Sequence, residues 1–281
     1  MTPACPPVAL SRRRWLALGA AGAALPAWLQ AQDFPEAALR AAVDGPGRSP
    51  ANRLRDGARH PFETLRFFGV LPQHHVIEIA PGGGWYTEIL APYLRERGRL
   101  LAAHYAADDA AEGRRKSRAN FQAKLAATPA LYDRVVLGTL PRGAAFTDLA
   151  VPGGVDAVLT FRNVHNWIED GHLDDTLRAF HAVLKPGGML GVVDHRASPG
   201  TTLERIKSSG YVTEALMQER AAAAGFTLHS RSEVNANLRD GHDHPNGVWS
   251  LPPTLRGGEV DRAKFLAIGE SDRFTHRYVK V

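Results

Sequence analysis

The segment Glu78-Ile79-Ala80-Pro81-Gly82-Gly83-Gly84 joins the end of a short apolar run to three consecutive glycines. Glycines in that position let the backbone turn tightly and approach a bound molecule closely. If a helix follows, its first N–H groups point at the ligand and favour polar or anionic groups. Arg162-Asn163-Val164-His165-Asn166-Trp167 is the densest polar and aromatic group in the chain. Asn163 and His165 offer hydrogen bonds to a ligand and Trp167 a wall, although a capped helix start around a packed tryptophan also suits these residues. Asp194-His195-Arg196 sets a histidine beside a carboxylate, the pairing of a general base. Neighbours on a strand point to opposite faces, so a structural or positioning role for His195 stays open. His242 and His244, with Asp240 and Asp243, have the composition of a metal site or of a polar surface loop; the loop reading is taken and no metal is assigned.

These groups can act together only if regular elements bring them to one place. Val76, Ile77 and Ile79 mark a buried strand, Pro81 stops its ladder, and helical spacing from Trp85 predicts a helix over 85–97 closed by Gly98. A second strand over 100–103 runs into His104-Tyr105. Then follow a helix over 109–126, strands over 135–137 and 155–161, a helix over 173–184, the turn Lys185-Pro186-Gly187-Gly188 and a strand over 189–193. A helix over 211–225 and strands over 226–233 and 273–281 complete the pattern, with an insertion over 235–272. Strands alternating with helices imply a parallel sheet with right-handed crossovers, in which ligands bind beyond the carboxyl ends of the strands. The residues leaving each strand are therefore the candidates: 80–84, His104 and Tyr105, 138–140, 162–167 and 194–196. Ahead of the first strand, 32–73 lacks strand character. A helix begun by Pro61 and ended by Gly69 suits a lead-in or lid.

With 281 residues, 44% hydrophobic and 22% charged, the chain can bury a large core. Arg12-Arg13-Arg14, an apolar stretch over 15–29 and Ala31 read as a twin-arginine-like export signal over 1–31, too short and too rich in glycine and alanine for a comfortable membrane span. Cleavage near Ala31 and a periplasmic destination are expected, with an uncleaved membrane anchor as the alternative. The signal holds three arginines and no acid, so 31 basic and 29 acidic residues remain and the net charge falls from +5 to about +2. That balance gives no nucleic-acid footprint, and the basic run 114–118 reads as the solvated face of a helix. Cys5, the one cysteine, lies in the signal. The remainder has no disulfide, thiol nucleophile or cysteine metal site.

Counted from Gly82, the third position of a dinucleotide fingerprint falls on Thr87, a departure from Gly-x-Gly-x-x-Gly or Ala. Glu78 with Gly82 and Gly84 instead resembles motif I of class I S-adenosylmethionine-dependent methyltransferases, Ala80 standing where the usual form has a glycine. Leu184-Lys185-Pro186-Gly187-Gly188-Met189-Leu190 resembles the turn before their fifth strand. Gly247-Val248-Trp249-Ser250-Leu251-Pro252-Pro253-Thr254 and Ala267-Ile268-Gly269-Glu270-Ser271-Asp272-Arg273, together with Pro81-Gly82-Gly83-Gly84-Trp85-Tyr86 and Arg162-Asn163-Val164-His165-Asn166-Trp167, look like a bacterial family of predicted class I methyltransferases bearing export signals. The likeness spans residues 53–281. It implies a Rossmann-like α/β sandwich over 74–281, seven-stranded and mostly parallel with an antiparallel C-terminal hairpin. It also implies S-adenosylmethionine as cofactor, held by Glu78, Ala80, Pro81, Gly82, Gly83, Gly84, His104, Tyr105, Arg162 and Asn163. His104 stands where such enzymes carry the carboxylate that accepts both ribose hydroxyls. The implied activity is methyl transfer to a small-molecule acceptor, with His165 and His195 as acid–base candidates. A non-catalytic envelope ligand-binding protein retaining the fold is the alternative.

Overall fold

β1 (His75–Ile79) lies at the centre of the sheet, because Val76, Ile77 and Ile79 offer water no polar face and are covered on both sides. It pairs in parallel with β2 (Arg99–His104) and with β4 (Val155–Phe161). β3 (Val136–Thr139) extends the sheet beyond β2, and β5 (Leu184–His195) beyond β4, both in parallel. β7 (Arg273–Lys280) runs antiparallel to β5, and β6 (Phe226–Ser232) antiparallel to β7. The order β3-β2-β1-β4-β5-β7-β6 is the expected seven-stranded α/β sheet with an antiparallel C-terminal pair. After β1 the chain builds outward through β2 and β3, then returns to the other side of β1 with β4. The crevice between the carboxyl ends of β1 and β4 is therefore the topological switch point, where open α/β sheets bind ligands.

The computed structural model describes residues 1–2, 34–141, 143–149 and 151–281, so the arginines and apolar stretch of the expected signal, and Cys5, lie outside the described residues. Residues Phe34–Val281 form one compact unit. Two layers of helix cover the sheet. Ile77 and Ile79 pack on one face with Trp167 of α8 (Val164–Glu169) and Leu177 and Phe180 of α9 (Leu173–Val183). Val76 points to the other face, with Leu39 of α1 (Glu36–Val43), Leu65 and Phe68 of α4 (Pro61–Phe68), and Ile89 and Leu90 of α5 (Thr87–Leu94). The alternation follows from the two-residue period of a strand. Between α1 and α4 run two single-turn helices, α2 (Pro50–Arg53) and α3 (Asp56–Arg59). As expected, α4 starts at Pro61 and stops at Gly69, which takes the left-handed conformation at φ +71°.

Several boundaries differ from the sequence reading for local reasons. α5 begins at Thr87 rather than Trp85, because the chain is still turning at Gly84 (φ +79°), and it ends at Leu94 rather than 97. α6 (Glu112–Ala127) begins later than 109 because the Asp109 carboxylate accepts the N–H of Ala111 and holds a turn there. α7 (Pro129–Tyr132) leads into β3 and α10 (Leu203–Ser209) follows β5; the helix expected over 211–225 is α11 (Glu214–Ala223), capped by the Thr213 hydroxyl. Residues 185–188 lie within β5 as a bulge: Val155 pairs with Leu184 and Ala157 with Met189, so the intervening residues loop out with Gly187 at φ +73°. α12 (Arg262–Ile268) lies in the insertion between β6 and β7.

Two adjacent glycines have opposite demands. A Cβ on Gly84 would sit 3.0 Å from the Phe121 ring at a positive φ, whereas one on Gly83 meets nothing within 4 Å. Gly84→Ala is expected to lose roughly 1–3 kcal/mol of unfolding free energy in urea titration. Gly83→Ala should stay within about 0.5 kcal/mol of the parent; equal losses would refute this division of roles.

Candidate functional site

The turn after β1 is held open by backbone geometry. Ala80 (φ +45°) and Gly82 (φ +57°) both take the left-handed conformation, and the Ala80 N–H donates to the Ala103 carbonyl at 2.8 Å, continuing the β1–β2 ladder. Alanine is the smallest side chain that can occupy such a strained position without being glycine. In front of the turn lies a cavity of about 330 Å³, walled by residues 80–83, by Phe161, Arg162 and Asn163 after β4, and by Asn52, Arg55 and Arg59 of the lead-in. A second cavity of about 640 Å³ shares Ala80, Tyr105 and Asn163 with the first and continues past Asp109, Arg114 and Thr139 towards Trp167.

Glu78 borders the smaller cavity and is 2% exposed. Burial pushes its carboxyl up to about 7 from an ordinary 4.5, although Thr87 Oγ1 donates to it at 2.6 Å and Lys124 adds an opposing pull. Asn163 spends its amide Nδ2 on the Ile79 carbonyl and on Thr160 Oγ1, both at 3.1 Å, which leaves Oδ1 for a ligand. Tyr105 walls both cavities, with the Arg114 guanidinium 5.5 Å from its ring centre. Pro81 and Gly83 stand on the wall of the smaller cavity, and so does Arg162, itself held at φ +62°.

Two expected cofactor residues are placed differently. His104 has no surface exposure, its Nδ1 accepts the Tyr105 N–H at 2.8 Å, and its Nε2 therefore carries the proton and faces the Gly82 carbonyl at 3.3 Å. Burial lowers its pKa, which keeps it neutral. With both nitrogens engaged and Phe121 against the ring, His104 props the glycine turn from behind and has no acceptor for a ribose. Gly84 also faces Phe121 and borders neither cavity. The sequence position of His104 at a strand end was legible; the direction of its side chain was not.

The arginine wall was missed. Arg55 (2.6 Å), Arg59 (3.3 Å) and Arg273 (3.3 Å) share the carboxylate of Glu270, which their combined charge holds below the ordinary range in spite of its burial. Arg59 also lies over the Trp85 ring at 4.8 Å, while Trp85 Nε1 donates to the Asn52 carbonyl at 3.0 Å. Tyr86 stacks on Phe161 with ring centres 3.6 Å apart. Only the lead-in reading of 32–73 hinted that such residues might reach the site.

His165 and His195 come together, with ring centres 5.1 Å apart, but neither borders either cavity. The Asp194 carboxylate accepts from His165 Nδ1 (3.0 Å), from the His165 N–H (3.3 Å) and from the His195 N–H (2.7 Å). His195 Nδ1 meets Ser271 Oγ at 2.5 Å, and burial, reinforced by His165 and three arginines, holds its pKa well below 6.5. One ligand atom from each of His165, Asp194 and His195 falls within 4.8 Å of the others, spacing that suits a metal ion. The surrounding arginine charge opposes a cation there. His242 and His244 are spent on Asp272 (3.3 Å) and Asp240 (2.8 Å); Asp240 also accepts the Tyr211 hydroxyl and the Asp272 N–H. This hub fastens the insertion to the body of the protein.

No protein-family model and no curated protein matches the chain. Among solved structures, a SAM-dependent methyltransferase from Aquifex aeolicus is 16% identical, with a TM-score of 0.54 over 88% of this chain and 100% of that one. The [4+2]-cyclase SpnF is also 16% identical, with a TM-score of 0.54 over 86% of this chain and 91% of that one. The glycopeptide N-methyltransferase MtfA complexed with sinefungin is 15% identical, with a TM-score of 0.50 over 80% of this chain and 87% of that one. At these identities the likeness is one of fold.

Because the Glu78 carboxyl titrates near 7 when folded and near 4.5 when unfolded, the native state binds the extra proton between those values. Stability attributable to Glu78 therefore falls as pH rises through that window, by about 3 kcal/mol in all. Glu78→Gln should remove this component, so that the parent loses more thermal stability than the variant between pH 5 and 7.5. Parallel pH profiles would contradict the assignment.

Proposed function

We propose that this chain binds S-adenosylmethionine across the two cavities and transfers its methyl group to a small-molecule acceptor. The carrying observation is the turn 80–84, open towards a cavity at the switch point of the sheet. Gly82 and Gly83 leave empty space where side chains would stand, so the backbone is free to lie against a ligand. The residues present fit this cofactor: Tyr105 and Asp109 would wall its adenosine part, and Glu78 and Asn163 its amino-acid part. When bound, it supplies an electrophilic methyl group on a sulfonium centre.

Alkyl transfer of this kind needs no strong base in itself, so the main tasks of the chain are alignment and exclusion of water. Trp85, Tyr86 and Phe161 form the apolar side of the smaller cavity and serve the second task. His165, held by Asp194 through its Nδ1–H, borders neither cavity and is given no role as a base. The arginine-led N-terminal stretch supports export of the folded chain to the periplasm. One observation favours a ligand-binding role without transfer, namely that His104 at the end of β2 has no acceptor for the ribose.

Calorimetric titration with S-adenosylmethionine tests the reading. The parent should bind, and Gly83→Phe, whose side chain would project into the cavity, should lose at least about tenfold in affinity while keeping its cooperative unfolding. Absence of binding by the parent would sink the proposal.

A further inference from the structure

The smaller cavity has more positive charge than its own residues neutralise. Arg55, Arg59, Arg162 and Arg273 influence one another electrostatically, and Glu270 is the carboxylate that pairs with three of them. Arg162 borders the cavity and its N–H donates to the Val193 carbonyl at 2.7 Å, yet its guanidinium makes no hydrogen bond or ion pair among the described residues. Arg59, 4% exposed, uses Nε on Glu270 and leaves its buried Nη2 without a hydrogen-bond partner among the described residues. The other nearby acids do not fill the deficit: Glu78 titrates near 7, and Asp194, which also acts on Arg162, brings the carboxylates to two against four guanidinium groups. Burial and mutual repulsion pull Arg59 down to about 9 and Arg162 to about 10, the mark of guanidinium groups short of counter-charge.

S-adenosylmethionine does not resolve this. It carries a sulfonium and an ammonium against one carboxylate, so its net charge adds to the excess. The missing negative charge must enter with the other reactant. We propose that the methyl acceptor is an anion, a small molecule whose carboxylate or phosphate lies against Arg59 and Arg162 in the smaller cavity. The inference rests on the methyl-transfer reading above. A guanidinium fork matches either oxyanion, and Arg162, with no protein partner to give up, offers it at no cost to the fold.

The test is calorimetry on the full chain with S-adenosylmethionine, methylthioadenosine, and malonate, benzoate or inorganic phosphate as probe anions, with chloride at matched ionic strength. At least one probe anion should tighten S-adenosylmethionine binding by roughly tenfold over the chloride control. That coupling should vanish in Arg162→Gln and persist in Arg256→Gln, which alters an arginine stacked on Trp249 instead. Arg162→Lys, keeping the charge but losing the fork, should retain part of it. If S-adenosylmethionine binds but no probe anion changes its affinity beyond chloride, the acceptor proposal is overturned and methyl transfer stands. If Arg162→Gln weakens S-adenosylmethionine without any anion and spares methylthioadenosine, the partner of Arg162 is the cofactor's own carboxylate and the proposal is likewise overturned. If anions bind through Arg162 but S-adenosylmethionine does not, both the methyl-transfer reading and the acceptor assignment fail.

Discussion

The carboxylate of Glu270 joins two distant parts of the chain: Arg55 and Arg59 from the lead-in, and Arg273, three residues beyond Glu270 itself, at the start of β7. Side chains of this kind are rarely buried unless paired, and removing one partner of a buried pair typically costs 3–5 kcal/mol because it leaves the others uncompensated. The lead-in depends on this junction. Arg273 also donates to the Ala58 carbonyl, and Asn235 bridges Thr64 and Thr275. The segment ahead of β1 is thus bolted to the insertion and to the last strand. The lead-in side of the smaller cavity inherits its position from that attachment.

The central sheet was legible because its signals are local. A short apolar run, a proline and a glycine cluster specify β1 and its turn within ten residues, and the alternation of strand and helix specifies the parallel order. Tyr105, Arg162 and Asn163 were legible for the same reason, as residues leaving strand ends. Direction was harder. His104 occupies the expected place in the chain but tucks behind the turn, because Phe121 and two backbone groups claim its ring. The shared role of Arg55, Arg59 and Glu270 was not legible, since it lies in a pairing across more than 200 residues that no periodicity records.

Fold and chemistry also separate here. Structures with a similar fold are described as methyltransferases and, in one case, as a cyclase. What distinguishes one occupant of this architecture from another is the set of side chains at the strand ends and in the segments laid over them. In this chain those segments bring guanidinium groups and aromatic rings to the wall of the cavity.

The arginine wall has a bearing on biosynthesis. Its two halves are made at different times: Arg55 and Arg59 are translated before the sheet exists, and Glu270 and Arg273 only after β1 to β6 are complete. Until then the early arginines lack their buried counter-charge and the lead-in has nothing to anchor it. The lead-in side of the cavity therefore gains its buried counter-charge only when nearly the whole chain has been made.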